Sequence, residues 1–147
     1  MNGDCQSSAR DRRNLIEEFE QGHVPPGFHH ADHVRVVFAY VAHYSFLEAV
    51  ARFCAALKRF AAAQGKPRLY HETITWAYLV PIRERQARGG CAQTWEEFAE
   101  HNADLLIWKG SLLERCYRKE TLDSDLAREI FVFPDQVFPD QVTLDHA

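Results

Sequence analysis

Residues 28–41 read FHHADHVRVVFAYV, and their pattern predicts an amphipathic helix that opens at Phe28. The apolar side chains that carry the pattern recur at positions i, i+3, i+4 and i+7; they are Val34, Val37, Phe38 and Val41. This spacing puts them on one face of an α-helix, where they can pack against a core.

The segments on both sides of this stretch extend the prediction to an all-α fold, a single bundle of four core helices with short flanking helices. Upstream, Pro25-Pro26-Gly27 interrupts the helical pattern, because proline removes a backbone donor. Downstream, the alanine-rich residues 46–64 favour a helix, and Gly65-Lys66-Pro67 joins a helix stop to a helix start. The predicted helical segments are residues 9–21, 28 to about 43, 46–64, 68–87, 95–107, 111–119 and 125–132.

Three local features refine this prediction. We expect Pro81 to kink the fourth helix, and the β-prone residues 73–76 leave a strand as the alternative there. Thr94 and Ser124 stand where N-caps are expected, Thr94 with Glu97 in the spacing of a capping box. The expected core includes the ten phenylalanines and the three tryptophans, Trp76, Trp95 and Trp108.

The length and composition predict one folded domain. A chain of 147 residues, 46% of them hydrophobic, is long enough to bury one core. We expect a flexible N-terminus over residues 1–8, the helical bundle over 9–132 and a flexible tail over 133–147, which contains FPDQV twice, at 133–137 and 138–142.

The charge and the termini exclude several classes of function. Because the formal net charge is −4 and no basic run occurs, we expect no nucleic-acid partner. No apolar run approaches the ~18 residues of a membrane span, so no membrane partner is expected. The first residues are polar, unlike a signal peptide, and the four cysteines form no C-x-x-C pair. These features predict a cytoplasmic protein.

Three of the eight histidines form the strongest functional signal. His30 and His33 are three residues apart, so on a helix their Cβ atoms lie only ~5–6 Å from each other. His71 falls on the inward face of the fourth helix, near the same end of the bundle as the first two. Helical bundles build metal sites from inward side chains on facing helices. The sequence therefore predicts a mononuclear metal site with His30, His33 and His71 as ligands.

A three-histidine site with an open position suits catalysis. Imidazole binds Zn, Fe, Cu or Ni, so the spacing predicts one divalent transition metal without selecting among them. Glu72 is the candidate general base beside a metal-bound water. The predicted function is metal-assisted chemistry on a small organic molecule, as a hydrolase with zinc or an oxidoreductase with iron or copper.

Two other hypotheses remain open. As an alternative, the histidines are compatible with a non-enzymatic helical interaction module, in which they form a hydrogen-bonded or pH-sensitive cluster. One histidine beside an aromatic-lined pocket suits a small-molecule or haem-type binder. The sequence leaves open whether the protein is a monomer or a homodimer.

The motif F-x-H-x-x-H at residues 28–33, YHETIT at 70–75 and LDSDLAR at 122–128, followed by Pro134-Asp135, form a recognisable combination. Together they resemble a group of small all-helical bacterial proteins to which no activity is assigned. The resemblance covers residues 28–135 and implies that these segments belong to one small helical domain.

Overall fold

The computed structural model describes residues 3–24, 27–90 and 93–136, and the regular structure in these ranges is helical. No β-strand occurs among them, so the all-α prediction is confirmed and residues 73–76 belong to a helix. The α-helices are α1 Gly3–Glu20, α2 His30–His43, α3 Phe46–Ala63, α4 Glu72–Gly89, α5 Trp95–His101, α6 Leu112–Cys116, α7 Lys119–Leu122 and α8 Asp125–Glu129, and short 3-10 turns span Pro67–Leu69 and Ala103–Leu106.

Helix α2 is the centre of the fold. It packs against α1, α3 and α4, and the four residues of the predicted stripe, Val34, Val37, Phe38 and Val41, are all buried. Val36, Ala39 and Tyr40 are buried as well, because neighbours cover α2 on more than one side. The Tyr40 hydroxyl donates a hydrogen bond to the Glu20 carboxylate at 3.1 Å, which satisfies its polar end inside the core.

Local capping sets several helix starts. The main-chain N–H of His29 donates to the Asp32 carboxylate at 2.8 Å at the start of α2. Thr94 Oγ1 accepts from the N–H of Glu97, and Ser124 Oγ accepts from the N–H of Ala127, each at 3.2 Å. Both predicted N-caps are therefore confirmed.

Helix boundaries differ from the prediction in several places: α2 begins at His30 instead of Phe28, the segment 95–107 is divided between α5 and a 3-10 turn, and α8 ends at Glu129. Two further differences concern α1 and α4. Helix α1 begins at Gly3, inside the segment expected to be flexible, and no proline in residues 3–8 opposes the helix. The predicted segment 68–87 is divided: a 3-10 turn covers Pro67–Leu69, Tyr70 and His71 are extended, and α4 starts at Glu72. The division moves His71 from the first helical turn to the N-cap position.

Some aromatic residues lie outside the core. Trp108 is 54% exposed and Phe133 is 81% exposed, so the expectation that all tryptophans and phenylalanines are core residues is wrong. Trp108 lies in the loop after the 3-10 turn Ala103–Leu106, and Phe133 lies in the extended segment after α8, where neither is held against the bundle on all sides. Trp76 and Trp95 are partly buried and pack on the core.

The C-terminal strap, residues 122–136, crosses the N-terminal end of α4. The buried Thr73 hydroxyl donates to the Ile130 carbonyl at 2.8 Å and accepts from the Val132 N–H at 3.1 Å. Arg128 donates to the Arg68 carbonyl at 2.7 Å. The strap includes most of the first FPDQV copy, as far as Gln136, whereas Val137 and the second copy lie outside the described residues.

Within the described part of the chain, no helix has both the length and the apolar character that crossing a bilayer requires.

Candidate ligand-binding cavity

A cavity of about 590 Å³ lies between α2, α3 and α4. All three predicted metal ligands, His30, His33 and His71, line it. Its apolar wall is formed mainly by Phe28, Val34, Val37, Phe53, Leu57 and Phe60. The fold thus brings the three histidines to one cavity.

His71 is buried and has hydrogen-bond partners on both ring nitrogens. Its Nδ1 accepts from the N–H of Ile74 at 3.1 Å and so caps α4. Its Nε2 lies 2.7 Å from the Leu122 carbonyl oxygen. Since a carbonyl only accepts, Nε2 carries the proton and the ring is neutral with both nitrogens engaged.

His30 begins α2 and lines the cavity. Its Nε2 donates to the Leu105 carbonyl at 2.9 Å, and its ring packs 4.8 Å from Tyr78 and 5.2 Å from Trp108, between ring centroids. Burial lowers the pKa of His30, and the Leu105 carbonyl opposes this effect. The Nδ1 atom of the resulting neutral ring is an acceptor.

His33 lies among phenylalanine rings. Its centroid is 4.5 Å from that of Phe28, 5.9 Å from Phe60 and 6.4 Å from Phe19. The pKa of His33 is lowered to about 4, mainly by burial. The neighbouring His30 also lowers this pKa, and Asp32 raises it by a smaller amount. His33 is therefore neutral at pH 7.

The three imidazoles do not converge as a ligand set. In residues 3–24, 27–90 and 93–136, no three histidine, cysteine, aspartate or glutamate side chains are arranged to hold a metal ion. A neutral His30 and a neutral His33 each have one ring nitrogen whose lone pair could coordinate a metal, but a metal on His71 would displace either the α4 cap or the hydrogen bond to Leu122. The three-histidine metal site stays a prediction that requires His71 to give up one of these partners.

Glu72 does not line the cavity. Its carboxylate accepts from the Tyr70 hydroxyl at 2.6 Å and from the Trp76 indole N–H at 2.9 Å. His71 is the extended N-cap residue and Glu72 is the first residue of α4, so His71 lines the cavity whereas Glu72 contacts Tyr70 and Trp76. Its role as a general base stays a prediction.

Two arginines that sequence reasoning did not identify also line the cavity. Arg128 comes from α8 and Arg68 from the 3-10 turn before α4. Arg68 lies 3.6 Å from Asp125 in an ion pair whose side chains are more than 80% exposed. No aspartate or glutamate is among the described residues that line the cavity, where Arg68 and Arg128 are the arginines. No local pattern links residue 128 to residue 68, which lies 60 positions earlier.

Three comparisons of the chain, with family models, with curated proteins and with solved structures, gave no match. Function is therefore inferred from the cavity and its lining residues.

Proposed function

We propose that the protein binds a small organic molecule with an apolar body and one anionic group in this cavity. The observation that supports the proposal is the composition of the lining, which joins an apolar wall to Arg68 and Arg128 and includes no carboxylate side chain among its described residues.

The apolar wall suits the body of such a ligand. A volume of about 590 Å³ falls within the ~300–1,000 Å³ of small-molecule pockets. Transfer of apolar ligand surface from water into this wall contributes roughly 25 cal/mol per Å². His33 adds to the same surface, because a neutral imidazole among phenylalanine rings presents little charge.

The two guanidinium groups suit an anionic group. Arg128 uses Nη1 to hold the Arg68 carbonyl, and the other donors of its planar fork are suited to a carboxylate. The ion pair of Arg68 with Asp125 is so exposed that its loss costs little, so Arg68 can turn to a ligand.

Calorimetric titration with octanoate and 1-octanol tests this function, because the two probes share a chain and differ in charge. We expect octanoate to bind with 1:1 stoichiometry and 1-octanol to bind more weakly. Arg128→Gln should weaken octanoate binding about tenfold, equivalent to ~1.4 kcal/mol. Arg83→Gln is the matched control, since Arg83 lies on α4 and does not line the cavity. Absence of 1:1 octanoate binding, or equal affinity for 1-octanol, would refute the proposal.

Metal-dependent chemistry on a small organic molecule is the second candidate function, because His30, His33 and His71 line one cavity. Elemental analysis of untagged protein, after incubation with Zn²⁺, Fe²⁺, Cu²⁺ or Ni²⁺ and removal of free metal, tests it. Stoichiometric metal that is lost in each single alanine variant supports this candidate. A wild-type protein that retains no metal rules it out without affecting octanoate binding.

A further inference from the structure

The described residues end within a tandem duplication. Residues 132–136 read VFPDQ, and residues 137–141 read VFPDQ again, so the repeat includes the valine before each phenylalanine. We call residues 132–136 the first copy and residues 137–141 the second copy. The structure describes the first copy in full, and the second lies outside the described residues.

Asp135 anchors the first copy. Its carboxylate accepts from the main-chain N–H of Arg118 at 2.9 Å and from the Thr121 hydroxyl. The N–H groups of Asp135 and Gln136 both donate to the Cys116 carbonyl, at 3.1 and 3.0 Å. A side chain and its own main chain thus fix the same short segment.

Both ends of the first copy add contacts. At its start, the Val132 carbonyl accepts from the Tyr117 hydroxyl at 2.7 Å, and the Val132 N–H donates to Thr73. At its end, the Gln136 amide, with its nitrogen turned inward, donates to the carbonyls of Glu114 and Arg115 at 2.9 and 3.2 Å. We call the groups that receive the copy the tail dock; they belong to Thr73, Glu114, Arg115, Cys116, Tyr117, Arg118 and Thr121.

Each of these contacts uses a group that the second copy also possesses. Val137 offers the main-chain groups of Val132, and Asp140 and Gln141 offer the side chains of Asp135 and Gln136. We propose that the tail dock is a peptide-binding site for the sequence VFPDQ, and that the two copies of this chain exchange in it. One copy is then always undocked.

Exchange of the second copy for the first keeps the hydrogen bonds of the tail dock and loses little buried surface. Phe133 is 81% exposed, so replacing it by Phe138 sacrifices little burial. Thr73 still donates to the Ile130 carbonyl, which lies before the duplication, and the five added residues form a loop between Ile130 and the docked copy. The entropic cost of closing a loop rises only with the logarithm of the loop length, so the longer loop adds little to the free energy of docking.

Amide hydrogen exchange at Arg118, followed by NMR in the full chain, tests the proposal because this N–H donates to the docked aspartate. We expect Asp140→Ala to leave Arg118 protection within twofold of wild type. Asp135→Ala should retain measurable protection through Asp140, and the double variant should fall at least a further tenfold. Asp123→Ala is the matched control for loss of a nearby exposed carboxylate.

Equal Arg118 protection in Asp135→Ala and in the double variant would overturn the proposal, since the second copy would then not dock. A double variant that resembles wild type would overturn it too, because the aspartates would not hold the copy. If the protection in Asp135→Ala rises with protein concentration, the second copy docks on another chain, and the proposal of exchange within one chain is overturned.

Discussion

His71, one of the predicted metal ligands, has a structural role in the fold. An N-cap needs a side-chain acceptor, which Nδ1 supplies to Ile74, and Nε2 on the same ring reaches Leu122, 51 residues away. The side chain therefore joins the start of α4 to the C-terminal strap. From the N-cap position of α4, the His71 side chain also lines the cavity.

His71→Ala should destabilise the protein by about 2–4 kcal/mol. The loss combines ~1 kcal/mol for the cap with ~1–3 kcal/mol for the unpaired Leu122 carbonyl. His71→Asn should cost clearly less, because asparagine also caps helices. Urea unfolding of both variants gives the comparison, and equal losses would show that the cap contributes little.

His33 predicts a pH dependence of stability. Its pKa is about 4 in the folded protein and near the ordinary 6.5 in the unfolded chain. Between these values the unfolded chain binds more protons, so the free energy of unfolding falls as the pH is lowered from 6.5 to 4. The full loss is on the order of 3 kcal/mol.

Urea unfolding at several pH values between 4 and 7 measures this effect. His33→Leu should reduce the dependence of the unfolding free energy on pH in that window, because leucine packs among Phe19, Phe28 and Phe60 without titrating. His23→Leu is the control, because His23 is exposed. An unchanged slope in His33→Leu would assign the pH dependence to another group.

At the scale of elements, the strap is attached to α4 through one buried hydroxyl. Thr73→Val keeps the shape of the side chain but leaves the Ile130 carbonyl and the Val132 N–H without their partner. We expect a loss of about 2–3 kcal/mol. Thr75→Val is the matched control: Thr75 donates to the His71 carbonyl, which also accepts from the Thr75 N–H.

Thr75→Val should therefore cost well under 1 kcal/mol, since that carbonyl keeps one partner. Thermal unfolding of the two variants under one condition makes the comparison. If Thr75→Val is as damaging as Thr73→Val, the strap contacts do not explain the loss.

The 3-10 turn Ala103–Leu106 is attached to α4 by a bidentate ion pair. Arg85 donates to both Asp104 carboxylate oxygens, at 2.6 and 2.9 Å. The carbonyl of the adjacent Leu105 accepts a hydrogen bond from His30. Arg85→Lys should cost about 1 kcal/mol, because lysine lacks the planar fork. Arg88→Lys, in a more exposed pair with Glu84, should be near neutral in the same urea assay.

The elements that were predicted well depend on local sequence. The Val34-to-Val41 stripe and the caps at Thr94 and Ser124 involve residues at most seven positions apart. The cavity depends on residues far apart in the chain, such as Leu105 opposite His30 and Arg128 opposite Arg68. Periodicity placed His30 and His33 on the inward face of α2, but it has no information on the Leu105 and Leu122 carbonyls that contact His30 and His71.

At the scale of the whole molecule, the proposed ligand binding predicts a gain in the stability of the folded state. A ligand that binds only the folded state at 100 times its Kd stabilises that state by about 2.7 kcal/mol. For a chain of this size, saturating octanoate should raise the Tm by roughly 5–10 °C. Differential scanning calorimetry with octanoate, with 1-octanol as the uncharged control, measures the shift, and no shift at saturation would contradict binding to the folded state.

The distant partners of the cavity histidines have a consequence for protein synthesis. A ribosome makes His30, His33 and His71 early, but the carbonyls that satisfy His30 and His71 belong to residues 105 and 122. Domains fold as their chains emerge, so the growing chain holds these two imidazoles without their native partners until residues 105 and 122 have been added. Helices α1 to α3 can form during elongation, whereas the lining of the cavity is complete only after Arg128 has been added.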